Sequence, residues 1–229
     1  QETHWVGDGF KVHNFIPGIP GLEMKDMDPF ILLDYNAKME VTPSDTPRGV
    51  GVHPHRGFET VTIAYNGKVQ HHDSAGNGGI IGTGDVQWMT AASGVLHKEY
   101  YEKEWSRQGG TFQMVQLWTN LPKADKMSAP GYQAIPNETM GRYILPGNSG
   151  FVEVIAGKYN DVEGPAHTHS PISLMNARLN LGGKATFSFP ENYNTALLVV
   201  QGSILANEID VPENNFVKFE NKGEVFTVE

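Results

Sequence analysis

Two short strings in this chain have the spacing of metal ligands. In His53-Pro54-His55 two imidazoles stand two residues apart. In a strand, residues i and i+2 point to one face, so both rings project together from backbone positions about 6–7 Å apart. His97-Lys98-Glu99 has the same spacing and adds an imidazole and a carboxylate. The chain between His55 and His97 holds about three strands, enough to return across a small barrel. If the two segments lie on facing or adjacent strands, four donors converge. Three imidazoles and one carboxylate suit a borderline transition metal: iron, manganese, cobalt, nickel or zinc. Calcium and magnesium want more oxygen. Four protein ligands on a six-coordinate ion leave two positions open, as catalysis requires. Taken alone, each pair reads more readily as surface residues than as a metal site, and the two together leave both readings open.

The elements that must position these groups read as strands. The chain has 229 residues, with 26 Gly and 14 Pro, and lacks a long stripe of period 3.6. Short apolar runs bounded by Gly, Pro and Asn predict an all-β fold. Residues 60–65 (T-V-T-I-A-Y) read as a strand, and Asn66-Gly67 as a hairpin turn returning through 68–72. Residues 73–79 read as a loop, 86–90 as a strand, and 110–120 as a long amphipathic strand. Residues 122–136, with Lys123, Asp125, Lys126 and three prolines, read as a connection, which places a domain boundary at 122/123. Residues 60–70 resemble 195–205, each a strand, a turn ending in Gly and a second strand, as a duplicated domain would give.

Composition excludes several functions. A net charge of −9 without a basic run disfavours direct nucleic-acid contact and binding to acidic membranes. The absence of cysteine removes thiolate zinc sites, iron–sulfur clusters and Cys nucleophiles. No apolar run reaches the length of a membrane span, and no signal pattern opens the chain, so a cytoplasmic location is expected. The glycines of 76–84 lack the strand and helix of a dinucleotide loop. His71 and His72 are adjacent and face opposite ways in a strand, so either one of them lines the pocket or the pair sits on a solvated edge, the second reading being favoured. Trp88, Met89, Phe112, Met114 and Trp118 read as core rather than as an aromatic-binding pocket.

Longer strings carry a resemblance. H-P-H-R-G-F-E-T from His53, G-D-V-Q-W-M-T-A-A-S-G-V-L-H-K-E ending at Glu99, D-P-F-I-L-L-D-Y from Asp28 and M-V-Q-L-W-T-N-L-P from Met114 resemble the pirin family of the cupin superfamily. The resemblance implies a bicupin of two packed antiparallel, jelly-roll-like β-barrels, here 1–122 and 123–229. It implies one metal, usually iron, on His53, His55, His97 and Glu99 of the first barrel, with Glu59 not a direct ligand but either supporting the ligands from outside or structural, and the second barrel metal-free. His167 and His169 are then expected to be no second site. The 135-residue offset of the repeat puts Ser188 and Pro190 opposite His53 and His55.

The resemblance implies a quercetin 2,3-dioxygenase, which opens a flavonol ring with O2 and releases carbon monoxide, Glu99 serving as catalytic base. It implies alternatively a metal-dependent regulatory module with a protein partner, a transcriptional co-regulator or an enzyme modulator. Pirins usually continue past the position of Glu229 with a further strand and helix, so two expectations stand: a second domain that lacks closing strands and leaves an open edge, if Glu229 is the native end, or a sequence that is cut short there.

Overall fold

The computed structural model describes residues 2–229, and its strands fall into two compact units, the first ending at Glu138 and the second spanning Thr139–Glu229. The first unit holds β1 (His4–Val6), β2 (Phe10–Ile16), β3 (Phe30–Val41), β4 (Gly49–His55), β5 (Phe58–Asn66), β6 (Val69–Asp73), β7 (Gly78–Ile81), β8 (Val86–Thr90), β9 (Val95–Tyr101), β10 (Gly110–Asn120) and β11 (Gly131–Ile135). They form a seven-stranded sheet, β1-β2-β3-β10-β5-β8-β11, and a four-stranded sheet, β4-β9-β6-β7, with antiparallel pairing throughout. Each sheet is open by its hydrogen bonding, and among the described residues none closes on itself.

The two sheets of this unit face each other across a core. Phe10, Val12, Val41, Ala64, Phe112 and Met114 of the larger sheet meet Val69, Ile81 and Tyr101 of the smaller. Tyr101 packs edge-on against Phe10 and Phe112, with centroids 5.5 and 4.9 Å away, contacts worth about 0.5–1.5 kcal/mol each beyond burial. The inward face of β9 reads Val95, His97, Glu99, Tyr101, all buried, while Leu96 and Lys98 point to solvent. Tyr101 belongs to the larger apolar cluster, and Val95 to a second one with Met89, Ala91 and Tyr132. The polar pair His97 and Glu99 is therefore held between two apolar anchors on one strand.

Four expectations change. Asn66-Gly67 turns the chain but makes no hairpin: β5 pairs with β8 and β10, and β6 with β7 and β9, so the turn carries the chain from one sheet to the other. Gly67 has φ +90°, and a Cβ there would lie 2.6 Å from Phe112 Cδ2, so the core as well as the turn demands glycine. The 122–136 connection contains β11, which pairs with β8, so the compact first unit runs to Glu138. Four strands, β5 to β8, separate His55 from His97 where about three were expected, and residues 78 and 79 of the expected loop belong to β7.

The second unit is also antiparallel. Gly150–Ala156 lies between Gly141–Leu145 and Leu174–Leu179, and a four-stranded sheet runs Ala185–Ser188, Val225–Val228, Ser203–Ala206, Ile209–Pro212. Its core gathers Leu145, Val152, Val154, Tyr159, Phe187 and Val228. In the repeat segment, Ala196–Leu198 and Ser203–Ala206 flank Gly202 at φ +75° and again enter different sheets, as β5 and β6 do around Gly67. No helix among the described residues is long and apolar enough to cross a membrane.

Candidate metal centre

β4 and β9 are adjacent antiparallel strands, and their register sets His53 opposite His97. A β-bulge between Val50 and His53 shifts that register, the kind of irregularity that re-aims side chains. The rings of His53, His55 and His97 form a triangle with centroids 4.7, 4.4 and 4.4 Å apart. Their ligand atoms all lie within 4.8 Å of one another, and no other cluster of this kind occurs among the described residues.

Proton bookkeeping gives His53 a lone pair to donate. His53 Nδ1 is 2.7 Å from the Gly51 carbonyl, which can only accept, so Nδ1 carries the proton and Nε2 a lone pair. That lone pair faces His97 Nε2 at 2.9 Å. Two nitrogens each about 2.1 Å from one ion and at right angles to it stand about 3 Å apart. The pair thus has the separation of neighbouring ligands on one transition-metal ion.

Burial keeps these rings neutral. His97 is 1% and His55 5% exposed. Desolvation, reinforced by the neighbouring imidazoles, lowers both from the ordinary histidine value to about 3. In the unfolded chain both titrate near 6.5. Between about pH 6.5 and 3 the unfolded chain binds protons that the folded one refuses, so the metal-free protein loses stability as pH falls through that window. The loss is at most on the order of 1.4 kcal/mol per pH unit for each ring, less what solvent screening removes. Urea midpoints of chelator-treated protein should fall between pH 7 and 5, and equal midpoints at the two values would contradict the neutral, buried rings.

Glu99 lies on the same face of β9 as His97 and is 4% exposed. It is not part of the tight three-histidine cluster. Gln116 Nε2 donates to its Oε2 at 2.8 Å, and Thr62 Oγ1 to its Oε1 at 3.4 Å. Trp118 Nε1 donates to Gln116 Oε1 at 3.3 Å, which turns the amide so that its NH2 faces Glu99. Trp118 also stacks on Phe58 at 4.5 Å and meets His55 edge-on at 5.0 Å. Of the five large side chains singled out in the sequence, Trp118 alone is half-buried and touches a site histidine; Trp88, Met89, Phe112 and Met114 are core.

Glu59 is 1% exposed, and its carboxylate accepts from Thr90 at 2.7 Å and Thr119 at 3.1 Å. Those threonines are its partners across β8 and β10, so Glu59 ties three strands together. It stands three residues from Thr62, hence on the opposite face of β5. His167 and His169 lie on an exposed stretch of the second unit and, among the described residues, join no metal-type cluster.

Of the pair His71-His72, for which the sequence favours a solvated edge, His71 is instead fully buried, with its Nδ1 3.3 Å from His97 Nδ1. The available signal was His71-His72-Asp73, a further i, i+2 pair like the two ligand strings.

The fold and site define an all-β protein with a three-histidine candidate metal centre between two sheets. The Pirin family model matches residues 9–119. A Pseudomonas aeruginosa protein, provisionally named a quercetin 2,3-dioxygenase, is 47% identical over 211 residues, which cover 92% of this chain and 73% of that protein. Pirin-1 of Arabidopsis thaliana is 34% identical, over 86% of this chain and 62% of its own length. This chain therefore spans about three-fifths to three-quarters of the length of these relatives. A crystal structure named quercetin 2,3-dioxygenase, from Acinetobacter baumannii, is 43% identical and covers all of this chain and 79% of that one, with a TM-score of 0.92. A bacterial pirin from Escherichia coli, solved in complex with nickel(II), covers all of this chain and 89% of its own at a TM-score of 0.65, a likeness of fold at 14% identity. The chain belongs to the pirin family.

Proposed function

We propose that this protein is a mononuclear metal-dependent dioxygenase of the quercetin 2,3-dioxygenase type, acting on a flavonol with O2. The observation that carries the reading is the convergence of His53, His55 and His97, two of them held neutral by burial, beside a buried carboxylate. The names of two relatives, from Pseudomonas and Acinetobacter, point the same way. In this reading the units are two cupin domains of a bicupin, the first holding the metal on His53, His55, His97 and Glu99 and the second metal-free. Imidazole and carboxylate donors accept iron, manganese, cobalt, nickel or zinc alike, and the choice of iron rests on the likeness to pirins.

The metal would supply Lewis acidity, lowering the pKa of a coordinated hydroxyl. The chain's own residues do the rest. Glu99 takes the flavonol hydroxyl proton as general base. Gln116 and Thr62 hold its carboxylate in place. Phe58 and Trp118 offer a stacked aromatic pair beside His55 against which a flat ring can lie.

The test is elemental analysis of the purified protein followed by flavonol-dependent O2 uptake on the same sample. About one transition metal per chain with metal-dependent uptake is expected. Metal without uptake would replace the enzyme by a metal-dependent binding module, and no metal even after reconstitution with ferrous iron would defeat the ligand set itself.

A further inference from the structure

We propose that His71 and Asp73 form a positioning chain behind His97, fixing the tautomer and the orientation that His97 needs to ligate a metal. The inference rests on the metal-centre reading above and concerns residues that do not touch the ion.

The geometry begins with register. Asp73 on β6 is paired with His97 on β9, and His71 with Glu99. The His71 and Asp73 side chains are wholly buried and His97 nearly so. His97 Nδ1 and His71 Nδ1 face each other at 3.3 Å, and one proton between them serves both. If His97 gives the lone pair of Nε2 to a metal, its proton must sit on Nδ1, and His71 Nδ1 must accept it. His71 then carries its own proton on Nε2. That nitrogen is buried with no partner within hydrogen-bond distance, and Asp73 Oδ2 stands 3.7 Å from it. A small closure would complete the chain from carboxylate to imidazole to imidazole.

Both supports of the chain are rigid. Asp73 Oδ1 accepts from the backbone N–H groups of Ala75 and Asn77 at 2.9 Å each, and Oδ2 from Asn77 Nδ2 at 3.1 Å, so the carboxylate is held by its own turn. The His71 ring lies parallel to that of Tyr132, with centroids 5.3 Å apart, which resists rotation. The opposite tautomer explains what the chain guards against. Were His71 to donate from Nδ1, His97 would carry its proton on Nε2, aimed at His53 Nε2 at 2.9 Å, and could not ligate. Outer partners of ligating histidines commonly contribute about 10–100-fold in metal affinity.

The experiment measures Co2+ affinity, by competition with a chromogenic chelator, together with the visible spectrum of the Co2+ form. His71→Phe keeps an aromatic ring against Tyr132 but has no acceptor. It is expected to lose about 10–100-fold in affinity and to shift the cobalt bands. His71→Asn places an amide oxygen near the position of Nδ1 and should recover much of the loss. Asp73→Asn removes the charge from the end of the chain, and a several-fold loss is expected. Parent affinity and spectrum in His71→Phe would overturn the inference, as would equal impairment in His71→Phe and His71→Asn. Should His71→Phe not fold, parent affinity and spectrum in Asp73→Asn would overturn it instead. Failure of the parent protein to bind Co2+ would remove the metal reading beneath it and the inference with it.

Discussion

Replacing His97 with alanine is expected to reduce bound metal to background and to abolish flavonol-dependent O2 uptake. His97 is the member of the triangle that faces both sides of the site: Nε2 meets His53 at 2.9 Å and Nδ1 meets His71 at 3.3 Å. Its loss removes a donor and leaves His71 with neither its neighbour nor a metal-fixed tautomer. The fall in affinity should therefore exceed the about 10–100-fold typical of an outer partner. Lys98→Ala is the matched control, because Lys98 sits on the solvent face of the same strand and should keep full metal. Elemental analysis of both variants beside the parent decides the matter. Stoichiometric metal in His97→Ala would mean that the three imidazoles are not the ligand set.

The centre was legible in the sequence because its ligands come as strand dyads. An i, i+2 pair needs no tertiary information to share a face, so His53 with His55 and His97 with Glu99 could be paired before any fold was known. That β4 and β9 are neighbours was not legible, since four strands intervene and register between distant strands has no local signal. For His71 the sequence offers two readings, because its neighbour His72 does face out while its partner at i+2, Asp73, shares its face. Gln116 and Thr62 carried no signal at all. Each is an ordinary strand residue until the two sheets bring it to Glu99.

Local chemistry likewise read the strands better than their partners. Residues 86–90 and 110–120 match β8 and β10, where apolar runs and turn residues mark both ends. Asn66-Gly67 reads in sequence as a hairpin turn, whereas in the structure it joins two sheets. A turn signal states that the chain bends, not which sheet receives the next strand, and β5 already has β8 and β10 on its two edges. The 122–136 segment looked like a linker from its prolines and charges, yet Gly131–Ile135 finds the free edge of β8. Pairing to an edge supplies the hydrogen bonds that composition cannot reveal.

Glu99→Gln is expected to separate metal holding from catalysis. The substitution keeps the shape of the side chain and the three imidazoles, so a substantial part of the metal should remain. Turnover should fall by about 10²–10⁴, the usual contribution of a positioned general base, because an amide cannot take the flavonol proton. The two oxygens of Glu99 are not equivalent in this respect. Oε2 is held at 2.8 Å by Gln116, whose orientation Trp118 fixes, whereas Oε1 has only the longer 3.4 Å contact with Thr62. Oε1 is thus the oxygen free to receive a proton, since its one partner is a hydroxyl that can rotate and accept in turn. Single-turnover O2 uptake, normalised to measured metal, distinguishes the outcomes. Retained metal with lost turnover supports the base; full metal with parental turnover defeats it. Loss of metal in step with loss of turnover would make Glu99 an indispensable ligand instead, with the proton going elsewhere.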